Sequence, residues 1–253
     1  MGQGPPQHGP RNVHRLRARP SACARLQCGR EPGEAPQCAC AQAAMFLVGW
    51  AYYSAAMHTR PLDNRQALRI VNGYFGEFLS RIPDEGWELP TPCTEWNIRD
   101  LVQHVTRGHI ALVRALHPDM SASEPAAAGS DDEVADTCRL WASKAQAAVE
   151  APGVLERTAH HSSLGEMTGD SLTLIRWGDV CVHAWDLAQA IGADFTPDPE
   201  LALAALEWLV PFSPGLSSTG HFAEVSDPGP NTAPFTRVLT ITGRMTNAHR
   251  ALG

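Results

Sequence analysis

The chain has 253 residues and a formal net charge of −7, with 20 Lys and Arg against 27 Asp and Glu. The first sixty residues carry seven arginines and only two acidic residues, so everything after them is clearly acidic. An acidic folded part argues against nucleic acid or an anionic membrane surface as a partner, because both require clustered Lys and Arg. We therefore expect a small-molecule partner.

The cysteines are too scattered for a disulfide framework. Four of the seven lie in the arginine-rich N-terminal segment, and Cys93, Cys138 and Cys181 stand singly. The N-terminal spacing, C-x4-C followed by C-x-C, also lacks the C-x2-C pairs of structural zinc sites. This usage predicts a reducing, cytoplasmic location.

An apolar run at residues 45–56 (MFLVGWAYYSAA) is the only candidate for a membrane or export segment in the N-terminal part. A membrane span requires about 20 apolar residues, so this run is too short. We interpret residues 1–56 as an unstructured extension, with Met45 or Met57 as a candidate true start. The remaining residues, 57–253, are predicted to form one helical domain.

Apolar residues three or four apart, with Pro, Gly and Ser between the segments, predict helices through most of that domain. Asn97, followed three residues later by Asp100, is typical of a capping box at a helix start, and Gly192 is typical of a helix end. The predicted helices lie at about residues 64–81, 98–116, 131–150, 171–191 and 200–210.

Three stretches between or after these helices have other patterns. Two prolines make residues 87–96 an irregular connection. Residues 154–167 are expected to form a short hairpin, and residues 235–242 (FTRVLTIT) fit a strand or a short helix equally well. Four main helices predict a mainly all-α protein, an antiparallel four-helix bundle with an additional C-terminal helix and an irregular tail.

The helix predicted at residues 171–191 places charged side chains on its apolar face. At about 100° per residue, one stripe holds both its apolar and its ionisable residues. The ionisable members are Arg176, Asp179, His183 and Asp186. An unpaired buried charge costs several kcal/mol, so these groups must be compensated.

Two kinds of compensation fit this stripe. Asp179 and His183 are four residues apart, so both can bind one divalent cation from the same helix face. Alternatively, Arg176 pairs with Asp179 and His183 pairs with Asp186, without a metal. Periodicity does not choose between them. A metal site would take a third ligand from the helix at 98–116, where the helical wheel favours His109 over His104 because His109 lies inside the apolar stripe.

Two segments together resemble a known family. They are WELPTPCTEWNIRDLVQHV at residues 87–105 and RWGDVCVHAWDLAQAIG at 176–192, followed by TPDPEL at 196–201. This pair of motifs is similar to the mycothiol-dependent maleylpyruvate isomerase N-terminal, DinB-like family of actinobacteria. The similarity extends over about residues 62–244.

The resemblance implies a DinB-like four-helix bundle that holds one metal, usually zinc, through two histidines and a carboxylate. Transferred by motif, these ligands are His104, Asp179 and His183, and His109 becomes the fallback. The maleylpyruvate isomerases carry glutamate at the position of Asp179. They also have a second, C-terminal domain, for which the residues after Pro211 are few.

The chemistry that the resemblance implies is activation of a small thiol, mycothiol, which then attacks an electrophilic substrate. Arg176 would hold a substrate carboxylate, and Asp186 would act as a hydrogen-bond acceptor behind His183 or as a proton shuttle; pairing of Arg176 with Asp179 or Asp186 is the alternative. We disfavour Cys93 as a nucleophile because no base is evident beside it. A non-catalytic metal-binding module with a binding or regulatory role is the competing hypothesis.

Overall fold

A computed structural model describes residues 62–93, 96–119, 130–161, 165–210 and 227–244. The extension expected at residues 1–56, including its candidate start sites, lies outside the described residues. Within them the chain forms six helices and one two-stranded hairpin. The helices are α1 (Asn64–Leu79), α2 (Ile98–Leu116), α3 (Asp131–Glu150), α4 (Gly169–Ala190), α5 (Pro199–Leu209) and α6 (Pro234–Ile241).

The helix ends lie where capping residues stand in the sequence. The Asn97 side chain accepts from the Asp100 N–H, and the Asp100 carboxylate accepts from the Asn97 N–H, which confirms the predicted capping box. Gly192 follows α4 with a φ of +72°, a conformation that a Cβ would strain. The five predicted helices agree with the observed bounds to within about two residues, the usual uncertainty of a helix end.

Helices α1 to α4 form the bundle, with α4 packed against α1 and α2, and α3 packed against the same two helices. The prediction of a mainly all-α, DinB-like fold is confirmed. Residues 235–242, which fitted a strand or a helix, belong mostly to α6, whose first residue is Pro234. Helices α5 and α6 pack against each other beside the bundle.

Helix α4 is buried almost all round, so the single apolar stripe predicted for it is wrong. Trp177 and Cys181, on its other faces, are no more than 1% exposed. The reason is that α4 is covered by two bundle helices at once, so no broad face is left to water. Asn64 at the start of α1 joins the two helices by accepting from Trp177 Nε1 at 2.8 Å and donating to Asp170 Oδ1 at 2.7 Å.

The connection before α2 is irregular, as predicted, but held by several hydrogen bonds. An isolated bridge pairs Pro90 with Asn97, and the Thr91 N–H donates to the Trp96 carbonyl at 3.1 Å. The Thr91 hydroxyl accepts from the Cys93 N–H at 3.1 Å. These bonds place Cys93 and Trp96 against the bundle, where both side chains are buried.

The predicted hairpin is present as antiparallel strands β1 (Thr158–His161) and β2 (Gly165–Thr168), which precede α4. Thr158 pairs with Thr168, and Thr168 also caps α4 by accepting from the Ser171 N–H. Among the described residues, no helix has the length and apolar character needed to cross a bilayer.

Candidate metal centre

Three polar side chains from α2 and α4 converge between the two helices. His104 lies on α2, and Asp179 and His183 lie one turn apart on α4. His104 Nε2 is 3.6 Å from Asp179 Oδ2, and His183 Nε2 is 3.4 Å from Asp179 Oδ1. One nitrogen or oxygen from each of the three lies within 4.8 Å of the others, so the group could hold a metal ion.

These separations suit a common metal ion better than direct hydrogen bonds. Two ligand atoms at about 2.1 Å from one zinc ion in tetrahedral geometry are about 3.4 Å apart. An N–H···O hydrogen bond is shorter, about 2.7 to 3.2 Å between heavy atoms. The two imidazole rings stand nearly edge to face, with centroids 4.8 Å apart, so both can point a nitrogen towards the Asp179 carboxylate.

Arg176 lies on the buried side of Asp179 and does not line an open space. Its Nη2 donates to Asp179 Oδ2 at 2.6 Å, and its side chain is 7% exposed. The guanidinium reaches this place by passing over Gly108 of α2, where an added Cβ would lie 1.3 Å from Nη1. The contact to Asp179 is one of the two ion pairs of the metal-free alternative.

Asp186 forms the other ion pair, deeper in the protein. Its carboxylate is fully buried, and Oδ2 lies 2.9 Å from His183 Nδ1. Arg244, just after α6, donates to Oδ1 at 3.1 Å and to Oδ2 at 2.7 Å. His183 therefore has its Nδ1 directed at Asp186 and its Nε2 directed at Asp179.

Charge pairing outweighs burial at three of these groups. Burial opposes protonation of His183, but Asp179 and Asp186 raise its pKa to about 9. Burial also opposes ionisation of Asp179, yet Arg176 and the two histidines hold its pKa well below the ordinary value. Asp186 behaves in the same way, because Arg244 and His183 lower its pKa.

The two other histidines near this group, His104 and His109, are neutral near pH 7. Burial lowers the pKa of His104 in spite of Asp179. Burial and the charge of Arg176 lower the pKa of His109 still further. His109 is 1% exposed, and its Nδ1 has no hydrogen-bond partner among the described residues. It is not in the group of His104, Asp179 and His183 that could hold an ion.

One side of the group reaches solvent. The side chains of His104 and Asp179 are 30% and 36% exposed, whereas His183 is 5% exposed. The Trp96 ring covers both histidines, with centroid distances of 4.7 Å to His104 and 5.9 Å to His183. Solvent therefore reaches the group from the side of His104 and Asp179.

Cys93 corrects one sequence argument. We disfavoured it because no base was evident nearby, but its Sγ lies 3.4 Å from Asp186 Oδ2 and 3.5 Å from Arg244 Nη2. Cys93, His183 and Asp186 form a second group whose ligand atoms lie within 4.8 Å of one another. Arg244 was missed altogether, because 58 residues separate it from Asp186 and no local pattern links them.

A cavity of about 400 Å³ lies at the other end of α4. Its lining includes Asp63, Arg65, Thr168 and Asp170. Asp179 and His183 are 9 and 13 residues further along α4, about 14 and 20 Å at 1.5 Å per residue. The group of possible ligands is therefore remote from this cavity.

The fold and the site define a helical-bundle protein with residues that could hold a metal ion. Residues 68–188 match a family model described as the mycothiol maleylpyruvate isomerase N-terminal domain. Two uncharacterized proteins from two strains of Mycobacterium tuberculosis are each 34% identical over 146 residues, which is 57% of this chain and 76% of each relative. No solved structure gives a significant match. The chain belongs to the mycothiol maleylpyruvate isomerase N-terminal domain family.

Proposed function

We propose that this protein binds one divalent metal ion, Zn²⁺, through His104, Asp179 and His183. The observation that carries the proposal is the 3.4 and 3.6 Å spacing of their ligand atoms on a side that solvent reaches. Two histidines and one carboxylate are a common donor set of catalytic zinc, which keeps a further position open for substrate. The lowered pKa of His104 supports this role, because a metal requires neutral imidazole.

The residues around the three ligands support one orientation of the site. Because the Asp186 carboxylate is ionised, the contact of 2.9 Å requires His183 Nδ1 to donate, so Nε2 is the nitrogen that would bind the metal once it has lost its proton. A carboxylate that accepts from the other nitrogen of a ligating histidine fixes the orientation of the imidazole ring and raises the basicity of the ligating nitrogen. Arg176 does the equivalent for Asp179 by holding Oδ2. We therefore favour a positioning role for Arg176 over direct capture of a substrate carboxylate.

We propose thiol activation as the chemistry of this site. When bound, Zn²⁺ lowers the pKa of a coordinated thiol so that thiolate is present near neutral pH. The family description names mycothiol, which we take as the thiol. Its sulfur would form a bond to an electrophilic carbon of a small substrate, and the thiol proton would end on the adduct or in solvent. The half-buried His104 and Asp179 mark the side from which both partners would enter.

The cysteines support a reducing compartment, which we propose to be the cytoplasm. Cys93, Cys138 and Cys181 are buried, and none of them is in a disulfide. Burial raises the pKa of Cys138 to about 11 and that of Cys181 to about 12, so both are inert thiols. A small-molecule thiol, and not one of these two side chains, would supply the nucleophile.

Metal analysis tests the donor set. The full chain is loaded with Zn²⁺, dialysed and analysed for bound zinc beside His104→Ala, His183→Ala and the control His109→Gln. We expect one zinc per chain in the wild type and the control, and a loss of at least tenfold in affinity in the two alanine variants. Equal zinc in the wild type and His183→Ala would favour the purely ionic pairing of Arg176 with Asp179 and of His183 with Asp186.

A thiol assay separates an enzyme from a binding module. Mycothiol is incubated with a panel of small electrophiles and zinc-loaded protein, and the remaining thiol is measured. We expect consumption above the uncatalysed rate that stops when zinc is removed and is absent in His183→Ala. Bound zinc without any such consumption would favour the competing hypothesis of a non-catalytic metal-binding module.

A further inference from the structure

A second set of donor atoms lies directly behind the proposed zinc ligands. Cys93, His183 and Asp186 bring a sulfur, a ring nitrogen and a carboxylate oxygen within 4.8 Å of one another, and all three side chains are buried. Thiolate, imidazole and carboxylate together are a donor set that soft and borderline divalent metals prefer. His183 belongs to both sets, through Nε2 in one and through Nδ1 in the other.

The guanidinium of Arg244 already lies against this second set. It makes two hydrogen bonds to Asp186, one to each oxygen, and its Nη2 is 3.5 Å from Cys93 Sγ. It is 9% exposed, so water screens these contacts little. A cation that contacts two of the three donors competes with a metal ion for them and offsets the negative charge that would attract it.

The backbone after α6 keeps Arg244 in this place. Gly243 adopts a φ of +78°, and the Arg244 N–H donates to the Leu239 carbonyl at 2.7 Å, which ends the helix in a left-handed turn. Arg244 Nη1 also donates to the Thr242 carbonyl at 3.0 Å. The side chain is thus tied both to its own helix end and to Asp186 on α4.

We propose that Arg244 is a positioning residue that acts as a built-in cation, excluding metal from Cys93, His183 and Asp186. It thereby directs a bound ion to the opposite nitrogen of His183, towards His104 and Asp179. The inference rests on the proposed function only for where the ion lies in the wild type. Without the guanidinium, a metal ion would bind the Cys93 thiolate, and the thiol proton would pass to the buffer.

Cadmium binding tests the proposal, because a thiolate ligand gives Cd²⁺ a charge-transfer absorption in the ultraviolet that nitrogen and oxygen ligands do not. The full chain is titrated with Cd²⁺ as wild type, Cys93→Ser, Arg244→Gln and the double variant. The N-terminal cysteines contribute equally to all four proteins, so the contribution of Cys93 is the difference between each pair. We expect no difference in the wild-type background and one additional thiolate ligand in the Arg244→Gln background.

Several results would contradict the proposal. An equal effect of Cys93→Ser in both backgrounds, whether zero or not, means that Arg244 does not control access to the thiol. Arg244→Lys keeps the charge and is expected to show no Cys93 absorption; a signal as large as that of Arg244→Gln would contradict exclusion by charge. If Arg244→Gln is unfolded without metal, recovery of helical circular dichroism and of the absorption with Cd²⁺ supports the proposal, and failure to recover contradicts it.

The cadmium titration, together with the zinc analysis of His104→Ala, separates this inference from the proposed function. A wild type that binds no ion, beside an Arg244→Gln variant that gains the Cys93 absorption, would refute the zinc site at His104 and keep the exclusion by Arg244. A wild type that binds one ion through His104, beside an Arg244→Gln variant that gains no Cys93 absorption, would support the zinc site and refute the exclusion by Arg244.

Discussion

At the scale of single residues, His183 determines how the proposed zinc site responds to pH. The protein without metal holds a proton on His183 with a pKa of about 9, while the pKa of His104 is lowered, so His104 is already neutral near pH 7. A metal ion must displace the His183 proton. We expect zinc affinity to rise about tenfold per unit from about pH 6 to pH 8.

Competition with a chelating dye of known affinity measures that slope. His109→Gln, which changes a neutral histidine outside the group, is the matched control and is expected to keep it. An affinity that stays constant over this range would mean that His183 carries no proton to displace.

From the sequence alone, only the site residues that lie close together on one helix can be predicted. Asp179 and His183 could be paired from their spacing, because residues four apart in a helix share a face. The wheel of α2 preferred His109, since it assumes one buried face, whereas α2 packs against both α3 and α4. Only the resemblance pointed to His104. Cys93 and Arg244 lie 151 residues apart and meet only through the fold, so no local pattern could reveal them.

At the scale of secondary structure elements, caps and prolines made the helix ends predictable. Asn97 and Asp100 act within one turn, so their effect does not depend on the rest of the fold. Residues 235–242 were ambiguous because Val, Thr and Ile favour strands, while the segment is too short to show a clear helical period. In the structure this segment lies mostly in the helix α6, which packs against α5.

The crossing of α2 and α4 depends on Gly108. Alanine there would meet the Arg176 guanidinium, which can move but would then leave Asp179. We expect Gly108→Ala to lower the free energy of unfolding by about 1 to 3 kcal/mol, because a nearly buried ion pair is disturbed. Zinc affinity should fall as well, since Asp179 loses the group that orients it.

Gly76→Ala is the matched control for this change. Gly76 lies within α1 and has no atom within 4 Å of the added Cβ. Alanine favours a helix interior by about 1 kcal/mol over glycine, so this variant should be slightly more stable. Urea denaturation of both variants measures the contrast, and an equal gain in both would show that Arg176 needs no gap at Gly108.

The contact of α1 with α4 depends on Asn64. Its side chain satisfies Trp177 Nε1 and bonds to Asp170, so alanine would leave the buried indole N–H without its acceptor. We expect Asn64→Ala to reduce the free energy of unfolding by about 1 to 3 kcal/mol. Urea denaturation with tryptophan fluorescence measures this loss, and zinc affinity should be nearly unchanged because the bonds of Asn64 to Trp177 and Asp170 do not involve the proposed ligands. A neutral effect on stability would contradict the role of Asn64 in joining the helices.

At the scale of the whole molecule, a buried carboxylate on α4 and a tyrosine hydroxyl on α1 tie the bundle to the segments that follow it. Arg244 at the end of α6 bonds Asp186, and the Tyr74 hydroxyl on α1 donates to Asp198 at 2.8 Å just before α5. The proposed ligands therefore depend on residues well beyond the two helices that carry them.

These charges also determine how the stability of the metal-free protein varies with pH. His183 has a folded pKa of about 9 against an ordinary 6.5, so its contribution to stability is complete below pH 6.5 and is lost as pH rises to about 9. The pKa values of His104 and His109 are lowered in the folded protein. Below pH 6.5 these histidines therefore bind protons more readily in the unfolded chain, and stability falls as the pH decreases. Both effects place the maximum of stability near pH 6.5.

Urea denaturation in the presence of chelator, at several pH values, measures this curve. The shift of His183 corresponds to a loss on the order of 3 kcal/mol between pH 6.5 and 9. His109→Gln should flatten the decline on the acid side and leave the alkaline side unchanged, because Gln takes up no proton. Stability that rises steadily from pH 6.5 to 9 would mean that His183 is neutral in the folded protein, and the ionic pairing around Asp186 would have to be revised.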